Sequence, residues 1–217
     1  VDHDKLKNKI GAFYQPRLVV SDIATLSTLP AEELSDGLAE VIKYAVIRDR
    51  GFFTYLENSL DRIRLLDSVV LEEVVFRSAR IKAEIVERDE QDLGLRNILN
   101  YGHTVGHAIE SASDFEVGHG QAIAIGMLAA GRISSKLGIF SQVEQSRLRG
   151  LIQRAGLPTE IPDLDVDRVI RAMEHDKKIV NGRIRFVLPK AIGNVFISEG
   201  VSPALVEQVL AGGGDET

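Results

Sequence analysis

The sequence predicts a mainly α-helical fold, a multi-helix domain with a small β element. From Pro30 onward, apolar residues recur at helical spacing through successive segments. Only beyond residue 178 does the pattern change to β-branched residues around an Asn181-Gly182 turn signal. The start differs from both. Residues 18 to 20 (Leu-Val-Val) read as a strand with no strand nearby to pair with, and a lone strand is not a stable unit. The start is therefore expected to be the tail of an upstream domain, and a domain division is placed between residues 1–29 and 30–217.

Each helix has its own signals. "LPAEELSDGLAEVIKYAVIRD" carries Pro30 at its start and acidic residues in its first turn. "FFTYLENSLDRIRLL" follows, and "DSVVLEEVVFRSARIKAEIVERDE" opens on Asp67 or Ser68 as N-cap. "LRNILNYGHTVGHAIE" is expected to form one helix ending near Ser113. "QAIAIGMLAAGRISSKLG" is apolar nearly all round, which marks a central buried helix. Ser141 and Glu144 make a capping-box pattern for a helix ended by Gly156 and Pro158. After the short strands, "VSPALVEQVLAGGG" closes the chain as a helix, with Ser202 as cap and Pro203 at its first position.

Composition bounds the function. With 217 residues and 44% hydrophobic content the chain can bury a sizeable core. The formal charge of −6 argues against a general nucleic-acid surface but leaves room for a locally basic pocket. No apolar run is long enough for a membrane span, and "VDHDKLKNK" is too charged for a secretory signal. Zero cysteines remove thiolate metal sites and disulfides, leave His and carboxylate as metal ligands, and fit a cytoplasmic location.

The chemistry concentrates in "LRNILNYGHTVGHAIE". At about 100° per residue, Arg96, Asn100, His103 and His107 fall within about 60° on one helix face. A solvated face would carry Lys and Glu instead. His119 follows in the "VGHG" loop, so three of the five histidines lie within a short span. Zinc in catalytic sites takes three His or carboxylate ligands and keeps a position open. Spacing alone suggests His103 and His107 as a ligand pair, with Glu40 as the carboxylate and Lys43 one turn on in the same largely apolar helix. A metal-hydrolase reading fails because Thr104, not Glu, follows His103.

The blocks "KNKIGAFYQP", "LSTLP", "GLAEVIKYAVIRD", "LRNILNYGHTVGHAIE", "GHGQAIAIGM" and "DKKIVNGRIRFVLPKAIG" resemble, in order, the 3-dehydroquinate synthase family of sugar-phosphate cyclases. The resemblance implies the helical domain of such an enzyme plus the last segment of an upstream Rossmann-like NAD-binding domain that this chain lacks. It implies Glu40, His103 and His119 as ligands of zinc or cobalt. His107 then becomes a catalytic base instead of a ligand, beside Asp92 as proton acceptor and Lys43 as a catalytic and substrate-binding residue. Asn8, Asp36, Lys82, Arg96, Asn100 and one of Lys177 and Lys178 match substrate-binding positions. Lys7, Thr25, Leu26, Ser27 and Thr28 match NAD-contacting ones. The start reads "DHDKLKN" where the family usually reads "NHPLGKN".

The implied reaction converts 3-deoxy-arabino-heptulosonate 7-phosphate to 3-dehydroquinate and phosphate in the shikimate pathway, making the enzyme an NAD- and metal-dependent lyase. Its partners are a small anionic sugar phosphate, the missing domain and, as is frequent in the family, a second copy in a homodimer. The isolated chain is expected to be inactive. Rivals are the 2-deoxy-scyllo-inosose and valiolone-type cyclases, and a non-catalytic domain that kept the fold.

Overall fold

The computed structural model describes residues 11, 16–91, 94–161, 164–175, 179–180 and 183–212. After an irregular stretch and a 3-10 turn at Ile23–Thr28, the chain builds helices α1 (Ala31–Arg48), α2 (Arg50–Arg64) and α3 (Ser68–Arg88). A second 3-10 turn, Leu95–Asn100, leads into α4 (His103–Ala112), α5 (His119–Lys136), α6 (Gln142–Arg154) and α7 (Val166–His175). Two short antiparallel pairs follow, β1 (Ile179–Val180) with β2 (Arg183–Ile184) and β3 (Phe186–Ala191) with β4 (Asn194–Ser198). Helix α8 (Pro203–Ala211) ends the described chain. The mainly α-helical class with a small β element holds.

The caps explain why the helices begin where they do. Asp49 accepts from the Phe52 N–H, Asp67 from Val69 and Val70, Ser141 from Glu144 and Ser202 from Leu205. Each satisfies amide donors that the first helical turn leaves without a partner. Pro30 and Pro203 stand where a missing N–H costs nothing.

Helix α5 is buried along nearly its whole length and is packed by α1, α4, α6, α8 and β3. Its small residues let neighbours approach closely. A Cβ at Gly126 would stand 1.9 Å from the Gly102 carbonyl oxygen, so this α4–α5 contact admits only glycine. Ser134, fully buried, donates to the Pro189 carbonyl at 2.6 Å and ties β3 to the same helix.

One expectation is corrected here. Residues 95–113 are not a single helix: the 3-10 turn stops at Asn100, Gly102 takes a left-handed backbone (φ 80°), and α4 starts afresh at His103. Burial of Tyr101 is the physical reason. Its ring is completely enclosed and its hydroxyl donates to the Met127 carbonyl at 3.1 Å, which requires the chain to turn sharply into the core. Helix α7 was not anticipated at all. Val166, Val169, Ile170 and Met173 keep helical spacing behind Asp165, which accepts from the Asp167 N–H. The turn expected at Asn181-Gly182 lies outside the described residues, though the strands on either side pair with Val180 opposite Arg183. At the start, residues 18 to 20 belong to no strand among the described residues and are 79, 72 and 78% exposed.

Candidate metal centre

The polar site lies where α1, α4 and α5 meet. Helix α1 brings Glu40 and Lys43, one turn apart, with Lys43 only 3% exposed and its ammonium 2.5 Å from Glu40 Oε2. Helix α4 contributes His103 from its first position and His107 one turn on; α5 contributes His119, also from its first position. Asp36 explains how α5 is held. One of its oxygens accepts from the Gly120 N–H (2.9 Å) and the other from Gln121 (3.0 Å), so α1 caps the helix that begins with His119. Each Asp36 oxygen thus accepts one N–H from the start of α5 and keeps a second lone pair.

Three donor atoms converge. His103 Nε2 is 3.4 Å and His119 Nε2 3.8 Å from Glu40 Oε1, and the three atoms lie within 4.8 Å of one another. His103 Nδ1 faces the Tyr101 carbonyl at 3.0 Å. A carbonyl only accepts, so Nδ1 carries the hydrogen and Nε2 presents its lone pair to Glu40. Glu40 Oε1 is itself buried with no hydrogen-bond partner. Two acceptors facing each other in a buried site repel unless a cation stands between them. Ligands about 2.0–2.2 Å from a tetrahedral zinc stand roughly 3.4 Å apart, and the donor set fits such an ion.

The electrostatics follow from burial and charge. Burial raises the Glu40 carboxyl, but His119, Lys43 and His103 outweigh it and hold its pKa down to about 2. Burial, aided by the Lys43 charge, lowers His103 to about 4, which keeps its ring neutral. Glu110 above all, and then Glu40, raise His119 to about 9. Lys43 is pushed down, mainly by burial and further by the charge of Lys82 from α3, against the pull of Glu40. Burial lifts the neighbouring Tyr44 to about 12.

The structure brings Glu40, Lys43, His103, His107 and His119 together, with His107 and His103 ring centroids 5.2 Å apart. Lys82 is near enough to act on Lys43 through its charge. Arg96 sits in the 3-10 turn, where its N–H is held by Asp89 (2.9 Å) and its guanidinium reaches the Glu90 carbonyl (3.1 Å). Asn100, half-buried, ends the same turn. Thr25, Leu26, Ser27 and Thr28 pack on α3 instead, and the three hydroxyls donate to carbonyls of their own turn. Lys7, Asn8, Asp92, Lys177 and Lys178 lie outside the described residues.

Sequence reasoning passed over Glu110. It is 5% exposed, 3.2 Å from His119 Nδ1 and 4.0 Å from His107 Nε2. An acid on the apolar flank of α4, between Ile109 and Ala112, was the available signal.

Residues 37–179 match the family model described as 3-dehydroquinate synthase C-terminal, and residues 1–36 match 3-dehydroquinate synthase N-terminal. A 3-dehydroquinate synthase of Desulforamulus reducens is 51% identical over 213 residues, covering 97% of this chain and 59% of the relative. One from Rippkaea orientalis is 47% identical over 214 residues, covering 97% and 58%. The chain therefore spans less than two thirds of the relatives it matches. Among solved structures, the 2-epi-5-epi-valiolone synthase of Streptomyces hygroscopicus subsp. jinggangensis, with NAD+ and Zn2+ bound, superposes with a TM-score of 0.85 at 25% identity. That match covers 94% of this chain and 57% of the other. A 2-deoxy-scyllo-inosose synthase complexed with carbaglucose-6-phosphate, NAD+ and Co2+ gives 0.80 at 26% identity, covering 95% and 59%.

Proposed function

This chain belongs to the 3-dehydroquinate synthase family, and we propose that it is the metal- and substrate-binding part of an enzyme converting 3-deoxy-arabino-heptulosonate 7-phosphate to 3-dehydroquinate and phosphate. The observation that carries the reading is the unpartnered Glu40 Oε1 facing the Nε2 atoms of His103 and His119. Residues 30–217 form the helical part; residues 1–29 belong to the NAD-binding part, the rest of which lies upstream.

Zinc or cobalt, held by Glu40, His103 and His119, would act as a Lewis acid that lowers the pKa of a substrate hydroxyl. NAD, touched by Lys7 and Thr25, Leu26, Ser27 and Thr28, would supply reversible hydride transfer. The remaining work falls to side chains. The substrate carries a carboxylate and a phosphate, so Lys43, Lys82, Arg96 and one of Lys177 and Lys178 gather positive charge in an otherwise acidic chain. Arg96 offers a planar fork for one anion, and its backbone anchor to Asp89 fixes where that fork begins. Asn8, Asn100 and Asp36 serve the substrate hydroxyls, Asp36 through the lone pairs that α5 leaves free. His107, half-exposed with its ring 5.2 Å from that of His103, acts as the base that takes a proton from the substrate, and Asp92 serves as a proton acceptor.

The test is phosphate release from the heptulosonate phosphate with NAD and zinc, by the full-length gene product and by this chain. Release by the former, lost in His119→Ala, together with silence from this chain, is expected. No release by a folded, metal-loaded full-length protein would overturn the substrate assignment and favour a sugar phosphate lacking the carboxylate, as used by a valiolone-type or inosose-type cyclase.

A further inference from the structure

We infer that Glu110 is a positioning residue for the metal site, the outer carboxylate that orients His119. The inference rests on the reading of Glu40, His103 and His119 as the ligand set. An imidazole offers one nitrogen to a metal only if something fixes the other, and metal-bound histidines usually give that second N–H to a carboxylate or a backbone carbonyl. Both arrangements occur here. His103 is fixed through Nδ1 by the Tyr101 carbonyl at 3.0 Å, and His119 through Nδ1 by Glu110 Oε1 at 3.2 Å. Each leaves Nε2 facing the same atom, Glu40 Oε1. Neither rotamer is then free to swing the ring away.

The burial of Glu110 supports the role. A carboxylate costs several kcal/mol to bury unless it is paired, and Glu110, 5% exposed, is paired with His119 at 3.2 Å. His119 stands on α5, an element away, so the contact crosses the α4–α5 seam where Gly102 and Gly126 touch. His107, Glu110 and His119 also form a compact donor set of their own. Glu110 meets His119 at Nδ1, at hydrogen-bond length, while Nε2 faces Glu40, and Glu110 is therefore assigned outside the ligand shell.

The experiment is metal binding by the full chain carrying Glu110→Gln or Glu110→Ala. Zinc and cobalt affinities would be read by competition with a chromophoric chelator, and the visible absorption of the cobalt form recorded. Glu110→Gln is expected to weaken binding about 10- to 100-fold while still taking one ion, with a displaced cobalt band; Glu110→Ala should lose more, because glutamine still accepts from Nδ1. Ser134→Ala, which removes a buried hydrogen bond to Pro189 on β3, controls for mere loss of stability and should leave affinity and band unchanged. Unchanged affinity and spectrum in both Glu110 variants would overturn the inference alone. A loss in Glu110→Gln as deep as in Glu40→Gln would overturn it too, by making Glu110 a ligand. Failure of the unaltered chain to bind cobalt would overturn the ligand-set reading, and the inference with it.

Discussion

Two ionic clusters in this molecule obey opposite rules. Between α2 and α6, Arg147 clasps Glu57 through two nitrogens (3.0 and 2.5 Å), and Glu144 takes the Arg50 guanidinium (2.9 Å) together with the Ile192 N–H (3.1 Å). Every acceptor named there has a donor. Between α1, α4 and α5, Glu40 Oε1 has no donor within hydrogen-bond distance: it faces the His103 Nε2 lone pair at 3.4 Å, with His119 Nε2 farther off at 3.8 Å. A satisfied cluster fastens helices; the unsatisfied one, held in place by well-made surrounding bonds, is where we propose that the cation binds.

Neutralising one carboxylate in each cluster would break the comparison most directly. Glu40→Gln should weaken zinc binding by more than the roughly 100-fold that losing an outer partner costs. Glu57→Gln should leave zinc affinity unchanged and lower stability to denaturant by about 1–3 kcal/mol, because the bidentate Arg147 loses its charged acceptor. Chelator competition and urea titration on both variants decide the matter. If the two variants exchanged phenotypes, the site would be on the wrong side of the molecule.

The clusters also differ in how legible they were. The capped helices, the buried α5 and the satellite strands could be read from spacing and caps, because those signals are local. Glu40, Lys43 and the histidines could be singled out for a related reason: polar residues set in apolar helices are conspicuous. Their order in space could not be read. A single helical wheel put Arg96, Asn100, His103 and His107 on one stripe, but Gly102 breaks that stripe, and the break depends on a long-range fact, the burial of Tyr101 under Met127. Glu110 escaped notice because its partner, His119, sits on another helix. The bonds from Asp36 to the N–H groups of α5 could not be read either, because they join residues 84 and 85 positions apart.

Titration sharpens the same contrast. In the metal-free chain, His103 is lowered to about 4 by burial, so the unfolded chain takes up its proton first and stability falls as pH drops from about 6.5 to 4. Glu40, held at about 2, adds a further loss as pH falls below its ordinary value of 4.5. His119 acts the other way. Raised to about 9 by Glu110 and Glu40, it contributes stability that is full below about 6.5 and lost as pH rises toward 9. The thermal midpoint measured with chelator present should therefore peak near pH 6.5. Saturating zinc should abolish the alkaline decline, because an ion on His119 Nε2 displaces that proton. A flat profile without metal would mean that the histidines are solvated and that the convergence on Glu40 is not maintained in solution.

The smallest expected effect tests whether the two clusters are independent. Ser141 caps α6 by accepting from the Glu144 N–H (3.2 Å) and donating to Glu144 Oε2 (3.3 Å), which steadies the same carboxylate that Arg50 and Ile192 share. Ser141→Ala should cost about 1 kcal/mol in urea titration, the usual loss for an N-cap. Zinc affinity should not change, since distant sites with no shared partner add independently. A measurable weakening would show that strain travels from α6 through α5, which α6 packs against, to His119 at its first turn. The fastened cluster would then be part of what holds the open one in register, and the division between them would be one of degree.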